Sequence, residues 1–122
     1  MADNPFESRI EGFIAYLRIE RRYSPATLAN YTRSLRRLRE FLAAQGVTRW
    51  RQVRGEQIQA LIAKSHRAGL SPGSLRDMLS AYRSFYRWLA REGEAATNPA
   101  IGVRSPKALR KLPQVLDVDE VG

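Results

Sequence analysis

The chain has 122 residues, 43% of them hydrophobic, which suits one domain with a modest core that needs neither a metal nor a disulfide. It contains no cysteine, which excludes disulfide bonds, thiolate metal sites and cysteine nucleophiles. Its 21 Lys and Arg outweigh 12 Asp and Glu, and the resulting net charge of +9 makes a polyanion the natural partner.

Arginine supplies nearly all of this positive charge, and its planar guanidinium contacts phosphates and guanine edges in a bidentate manner. The composition therefore favours nucleic acid as the partner. The alternative is an arginine-rich genome that leaves solvated surface charge without a partner. The N-terminus lacks the pattern of a signal peptide and no stretch approaches the length of a membrane span, so the cytoplasm is the expected location.

The first predicted helix begins after Asn4, which acts as the N-cap, with Pro5 at the first helical position. Apolar residues at helical spacing form its core face: Phe6, Ile10, Phe13, Ile14 and Leu17.

The second predicted helix has the clearest start signal, a capping Ser24 followed by Pro25, and ends at Gly46. Its apolar face consists of Leu28, Tyr31, Leu35, Leu38, Phe41 and Leu42. Its predicted outer face carries basic and hydroxyl side chains together with an amide and a carboxylate: Thr27, Asn30, Arg33, Ser34, Arg37 and Glu40.

A short connector over residues 47–54 contains Trp50 and Val53, which we interpret as plugs over the end of the core rather than as a stacking platform. The third predicted helix runs from about Gly55 to Ala68, and Gly69 supplies the left-handed residue after it.

The fourth predicted helix repeats the start signal of the second with Ser71 and Pro72, and Gly93 closes it. Its broad apolar face consists of Leu75, Met78, Leu79, Tyr82, Phe85, Tyr86 and Leu89. Its remaining surface alternates charged residues with small hydroxyls: Ser74, Arg76, Asp77, Ser80, Arg83, Ser84, Arg87 and Arg91.

The shared design of these two long helices predicts a DNA-binding surface. Hydroxyl residues near a helix N-terminus allow a phosphate to come close, and the helix dipole favours an anion there. Arginines further along the helix can reach phosphates or base edges. The alternative is that Ser24 and Ser71 are only caps and the arginines only a solvated face, but two such helices in one basic chain favour DNA.

From Asn98 onward, prolines and glycine break any helix and basic residues recur, which predicts an extended linker over residues 98–116 that includes Arg104 and Lys107. If it were fully extended, the stretch from Asn98 to Pro113 would span roughly 50 Å, enough to pass around a duplex. Residues 117–122 then read as the first turn of a helix in a second domain, with Asp117 as its N-cap, so we expect the DNA-binding domain to occupy residues 1–97.

Several segments resemble the core-binding domain of tyrosine recombinases. They are ERRYSPATLANY at 20–31, GLS at 69–71, LSAYRSFYRWL at 79–89 and NPAIGVRSPK at 98–107, followed by LP at 112–113 and LDVDE at 116–120. The resemblance covers nearly the whole chain. It implies an all-α, SAM-like bundle of four main helices, arranged as two crossed helical hairpins, that forms one half of a C-shaped clamp on double-stranded DNA.

In the family, the second and fourth helices of this domain lie against the major groove. Carried over by position, and with the basic linker added, this resemblance implies the DNA-binding residues Thr27, Asn30, Ser34, Arg37, Ser74, Arg76, Asp77, Arg83, Arg104 and Lys107. Asp77 is the least expected of these residues at a DNA contact, because phosphate repels a carboxylate. It could accept a hydrogen bond from a cytosine amino group or pair with a neighbouring arginine.

The resemblance implies an enzyme in which a tyrosine hydroxyl attacks a DNA phosphodiester, with arginines and a histidine stabilising the charge that develops. In relatives that machinery lies in the C-terminal domain, and no residue of this chain matches its motif, so we expect the fragment to bind DNA without cutting it. His66 is the only histidine, which rules out histidine clusters and triads, and we expect no metal, cofactor, small molecule or membrane as a partner.

For the full-length protein, the resemblance implies a heterotetramer with a sister recombinase and activation by a septal DNA translocase. The function would be DNA recombination that resolves chromosome dimers for segregation at cell division. The arm of a phage or integron-type integrase, which serves DNA integration, and a basic helical module that binds acidic protein remain alternatives. A helix-turn-helix regulator is disfavoured because the second and fourth helices are too long.

Overall fold

The structure, a computed structural model, describes residues 5–105 of the chain. It contains four α-helices, α1 (Pro5–Ile19), α2 (Pro25–Ala43), α3 (Gly55–Arg67) and α4 (Pro72–Arg91), and a short 3-10 helix at Trp50–Gln52. No strand occurs in residues 5–105, so the predicted all-α class is confirmed and the helices are consistent with a SAM-like bundle.

The predicted start signals of α2 and α4 are confirmed. The Ser24 hydroxyl oxygen accepts a hydrogen bond from the Thr27 backbone N–H at 3.2 Å, and the Ser71 oxygen accepts one from the Ser74 N–H at 3.1 Å. A proline occupies the first turn of each helix, where its missing N–H is not needed. Gly69 follows α3 with φ of 102°, the left-handed conformation that the sequence predicts.

The helices pair as two hairpins, α1 with α2 and α3 with α4. Glu7 near the start of α1 forms ion pairs with Arg36 and Arg39 toward the end of α2, which shows that this pair is antiparallel. The hairpins meet where α2 crosses α4, and there the Tyr82 hydroxyl donates a 2.8 Å hydrogen bond to the Ser34 carbonyl.

The predicted apolar faces form the core. Leu35, Leu38 and Leu42 of α2 are fully buried, and so are Tyr82, Phe85, Tyr86 and Leu89 of α4. Some residues at the margins of the predicted faces, including Ile14, Leu28 and Tyr31, are only half-buried.

Trp50 is a core residue, as predicted. Only 4% of it is exposed, and its indole Nε1–H donates a 2.9 Å hydrogen bond to the Phe6 carbonyl. Its ring centroid lies 4.2 Å from that of Phe6 and 4.8 Å from that of Phe85, the latter in a T-shaped arrangement. The Tyr86 hydroxyl donates to the Trp50 carbonyl at 2.7 Å. One indole therefore joins α1, the connector and α4.

The two buried phenols predict loss of stability in alkali. Burial raises the pKa of Tyr82 and of Tyr86, because the phenolate would lose its hydration inside the core. The unfolded chain releases these protons above about pH 10 while the folded chain retains them. The stability that each buried tyrosine contributes is therefore fully present below about pH 10 and is lost progressively as the pH rises above that value. Unfolding by denaturant, followed by circular dichroism between neutral pH and pH above 10, should show a falling midpoint. The Tyr82→Phe variant should show a shallower fall.

The segment after α4 differs from the predicted linker at its beginning. We name residues 98–104 the strap. Ala100 and Val103 in it are buried, and the Arg83 guanidinium donates to their carbonyls at 3.3 and 2.7 Å. A Cβ added to Gly55 would lie 3.0 Å from the Pro99 carbonyl oxygen, so α3 and the strap approach closely. The linker predicted over residues 98–116 therefore begins with a segment that is docked on the helical body, and residues 106–122 lie outside the described part.

No helix within residues 5–105 has both the length and the apolar character that a bilayer crossing requires.

Candidate nucleic-acid interface

A groove runs between α2 and α4 on the surface where the two hairpins cross. Its volume is about 170 Å³. Its lining combines polar, charged and apolar side chains: Asn30, Arg33, Ser34, Arg37, Leu70, Ser74, Asp77 and Met78. We name it the α2/α4 groove. The structure thus brings together five of the residues that the sequence predicts as DNA contacts, from two helices far apart in the chain.

Two arginines on the α2 wall are held in place by neighbouring side chains. Arg37 extends across the groove, and its Nη1 lies 3.7 Å from the Met78 sulfur on α4. Arg33 Nη2 donates to the Asn30 side-chain oxygen at 3.3 Å. Both arginines are exposed. The groove therefore presents two guanidinium groups to solvent beside an amide, and such groups can hold phosphates or bind base edges.

Asp77 is the acidic residue of this groove, and it is exposed on the α4 wall. Within residues 5–105 no ion pair joins it to an arginine. Of its two predicted uses, pairing with a neighbouring arginine is absent from this structure, so its oxygens remain available as acceptors. The groove consequently offers donors along α2 and one carboxylate acceptor on α4.

Ser34 differs from its predicted position on the outer face of α2. It is only 7% exposed, because α4 crosses over this turn and Tyr82 donates to the Ser34 carbonyl. Ser34 still lines the groove, but it is less accessible than Asn30 and Arg37.

Thr27 and Ser74 occupy equivalent positions in the first turns of α2 and α4. The capping Ser24 hydroxyl donates to the Thr27 hydroxyl oxygen at 3.0 Å, and the Ser71 hydroxyl donates to that of Ser74 at 3.1 Å. Ser74 lines the groove, whereas Thr27 does not. The structure thus places these predicted residues at two helix starts, of which only the one on α4 adjoins the groove.

Three other predicted residues lie together on a second surface, where α4 meets the strap. Arg76, Arg83 and Arg104 line a depression there with Leu79, Ile101, Val103 and Ser105. None of these described lining residues is acidic. Arg83 is half-buried and binds strap carbonyls, so it is not the freely exposed arginine that the sequence predicts. The last predicted contact, Lys107, lies outside the described residues.

The sequence prediction omitted Arg33 and Met78 from the contact set. Arg33 could have been included, because it lies one helical turn from both Asn30 and Arg37. Met78 counted only as a core residue, and nothing in the sequence signals that its sulfur meets Arg37. A further arginine cleft, lined by Arg9, Arg49, Arg51 and Glu94, lies elsewhere on the surface. No group of three potential metal-binding His, Cys, Asp or Glu side chains occurs in the described residues.

Residues 10–93 of the chain match the family described as phage integrase, N-terminal SAM-like domain. The chain is also similar to tyrosine recombinase XerC of Proteus mirabilis, with 45% identity over 112 residues that make up 92% of the chain and 36% of that relative. XerC of Xanthomonas campestris pv. campestris is 49% identical over 113 residues, which cover 93% of the chain and 35% of the relative. The chain thus spans little more than a third of these relatives. No solved structure matches it.

Proposed function

Because the chain belongs to the phage integrase family through its N-terminal SAM-like domain, we propose that it is the DNA-binding arm of a XerC-like tyrosine recombinase. The observation that supports this most is the α2/α4 groove, where Arg33, Arg37 and Asn30 stand opposite Ser74 and Asp77. The groove lies on a chain of net charge +9, so duplex DNA is attracted to the whole molecule and positioned by the groove.

The side chains of the groove suit contacts with both the backbone and the bases of DNA. Arg33 and Arg37 carry guanidinium groups that fit phosphate oxygens or the acceptor pair on the major-groove edge of guanine. The Asn30 amide suits adenine, and the Asp77 carboxylate can accept from the cytosine amino group. We therefore assign duplex DNA to this groove, with Thr27 and Arg76 as further contacts outside it.

For the whole protein, we propose a site-specific recombinase that breaks and rejoins DNA through a tyrosine nucleophile. The names of the relatives support this assignment. The catalytic residues lie outside this chain in the proposal, so the fragment binds DNA without cutting it. By the same likeness to XerC, the protein acts in the cytoplasm with a XerD-like partner in a heterotetramer, activated by a septal DNA translocase. It resolves chromosome dimers at cell division.

DNA binding by the fragment should weaken steeply with salt, because neutralised phosphates release counterions. Fluorescence anisotropy with a labelled duplex, titrated at several salt concentrations, measures this. The logarithm of the affinity should fall linearly with the logarithm of salt concentration, with a slope of about −0.9 for each phosphate contact. No binding to any duplex at low salt, or binding that salt does not change, contradicts the proposal.

The Arg37→Ala variant tests whether the α2/α4 groove is the surface that binds. It should weaken binding by roughly tenfold, since one charge-assisted contact is lost. Arg49→Ala is the matched control, because it removes the same charge from a different surface cleft. Equal affinities of the two variants would mean that the groove is not the contact. The alternative, a module that binds acidic protein, would be favoured by two results together. The chain would bind all duplex sequences equally well, and an acidic protein would displace the DNA.

A further inference from the structure

The surface where α4 meets the strap carries a second inference, which rests on the proposed DNA binding. We propose that the strap is a preorganised part of the DNA-binding surface, where Arg76 and Arg104 hold one backbone phosphate. Arg83 and Gln59 are positioning residues in this site, because they fix the strap and do not themselves contact DNA.

The strap is fixed to the helical body at both of its ends. Near its start, the Asn98 side-chain amide donates to the Arg83 carbonyl at 3.1 Å, and its side-chain oxygen accepts from the Ala100 N–H at 3.1 Å. Near its end, Gln59 of α3 donates to the Arg104 carbonyl at 2.9 Å and accepts from the Arg104 N–H at 3.4 Å. The backbone of Arg104 is thus held by a single side chain.

Arg83 completes this attachment between the two ends. Its Nε and Nη2 atoms donate to the carbonyls of Ala100 and Val103, and it is half-buried. A guanidinium group that donates two hydrogen bonds to backbone carbonyls is less free to turn toward a ligand. We therefore assign Arg83 to the strap itself, although its charge still adds to the local positive potential.

Arg76 of α4 and Arg104 of the strap line one depression, and both residues are exposed. None of the described residues that line the depression is acidic. Guanidinium groups that line one site without a carboxylate repel one another, and an anion bound among them offsets this repulsion. A DNA phosphate is the anion that this chain meets in the proposed function, and bidentate guanidinium groups match its oxygens.

The prebuilt strap lowers the cost of binding at this site. A phosphate contact from a flexible segment requires that segment to be ordered on binding. Because the strap is already docked, Arg104 is presented without that cost. Loosening the strap should therefore weaken DNA binding even when no charge is removed.

Gln59→Ala is the direct test, because it frees the backbone of Arg104 and changes no charge. Salt-dependent anisotropy with a labelled duplex should show affinity reduced roughly five- to tenfold for Arg104→Ala, with the salt slope reduced by about 0.9. Gln59→Ala should also lower the affinity but keep the wild-type slope, because Arg104 keeps its charge and only the cost of ordering the strap is added. The double variant should bind no more weakly than Arg104→Ala alone, because both substitutions act through the same contact.

Gln45→Ala is the matched control, since it removes an exposed glutamine that bonds to Gln57 and lies away from the depression. Arg76→Ala should also lower the slope by about 0.9, and this variant of an exposed residue supplies the test if Gln59→Ala fails to fold. The inference is overturned if Arg104→Ala and Arg76→Ala keep the wild-type affinity and slope while Arg37→Ala weakens binding. If the wild-type chain binds no duplex, the proposed function itself has failed.

Discussion

Replacing Trp50 by alanine should lower the free energy of unfolding by about 3–5 kcal/mol, the usual cost of deleting a large aromatic side chain from a packed core. Trp50 is 4% exposed and contacts Phe6, Phe85 and Tyr86, so its loss leaves a cavity among helices from both hairpins. Equilibrium denaturation followed by circular dichroism measures the change. For a domain of this size, the loss removes much of the total stability.

A graded variant separates the two contributions of the indole. Trp50→Phe keeps an aromatic ring but removes the N–H that donates to the Phe6 carbonyl, so it should cost about 1–3 kcal/mol. Trp50→Phe should therefore fall between wild type and Trp50→Ala. A loss of less than about 1 kcal/mol for Trp50→Ala would show that Trp50 does not join the hairpins.

The second large effect is expected on DNA binding. The double substitution Arg33→Glu and Arg37→Glu reverses both guanidinium charges on the α2 wall of the groove, where they stand beside Asp77. The groove should then repel phosphates, and affinity for duplex DNA should fall by a factor of about 100. Fluorescence anisotropy at low salt, where electrostatic binding is strongest, gives the widest range for the measurement.

The control for this variant must change the net charge by the same amount. Arg49→Glu with Arg51→Glu does so in the separate cleft beside Trp50, although it also removes the hydrogen bond from Arg51 to the Gly93 carbonyl. The control should lose affinity only modestly, through the reduced long-range potential. If both double variants lose the same affinity, the chain binds DNA by net charge alone and the groove has no special role.

Local signals were sufficient to predict the helices. Ser24 and Ser71, each followed by a proline, predict the starts of α2 and α4, because a serine oxygen caps the orphan N–H groups of the first turn. Apolar spacing predicts which faces are buried, since burial follows the helical period. The core position of Trp50 was also predictable. A large aromatic side chain in a short connector is most readily shielded from water by packing into the adjacent core.

The attachment of the strap could not be predicted, because its hydrogen bonds join residues far apart in sequence. Gln59 and Arg104 are 45 residues apart, and no local pattern pairs a glutamine on α3 with a backbone beyond α4. Prolines and glycine in this segment indicate irregular backbone, but they do not tell a docked strap from a free linker.

The site was predictable in outline, and its details depend on how the helices cross. Helical spacing places Asn30, Arg37 and Asp77 on the outer faces of α2 and α4, and these faces meet in the groove. Their selection as DNA contacts comes from the resemblance to the recombinase family. Ser34 lies at the edge of that face, and only the crossing of α4 decides that it is buried. The sequence predicts Arg83 on the outer surface of α4, because it does not show that the guanidinium donates to the Val103 carbonyl.

The absence of a side chain at Gly55 allows the strap to pack closely against the start of α3. A Cβ at this position would lie 3.0 Å from the Pro99 carbonyl oxygen, a backbone atom that cannot rotate away as the end of a side chain can. The methyl group of an alanine at this position would therefore push the Pro99 carbonyl, and the strap with it, away from α3. The distance at which the strap packs against α3 is thus set partly by the absence of a side chain at the first residue of that helix.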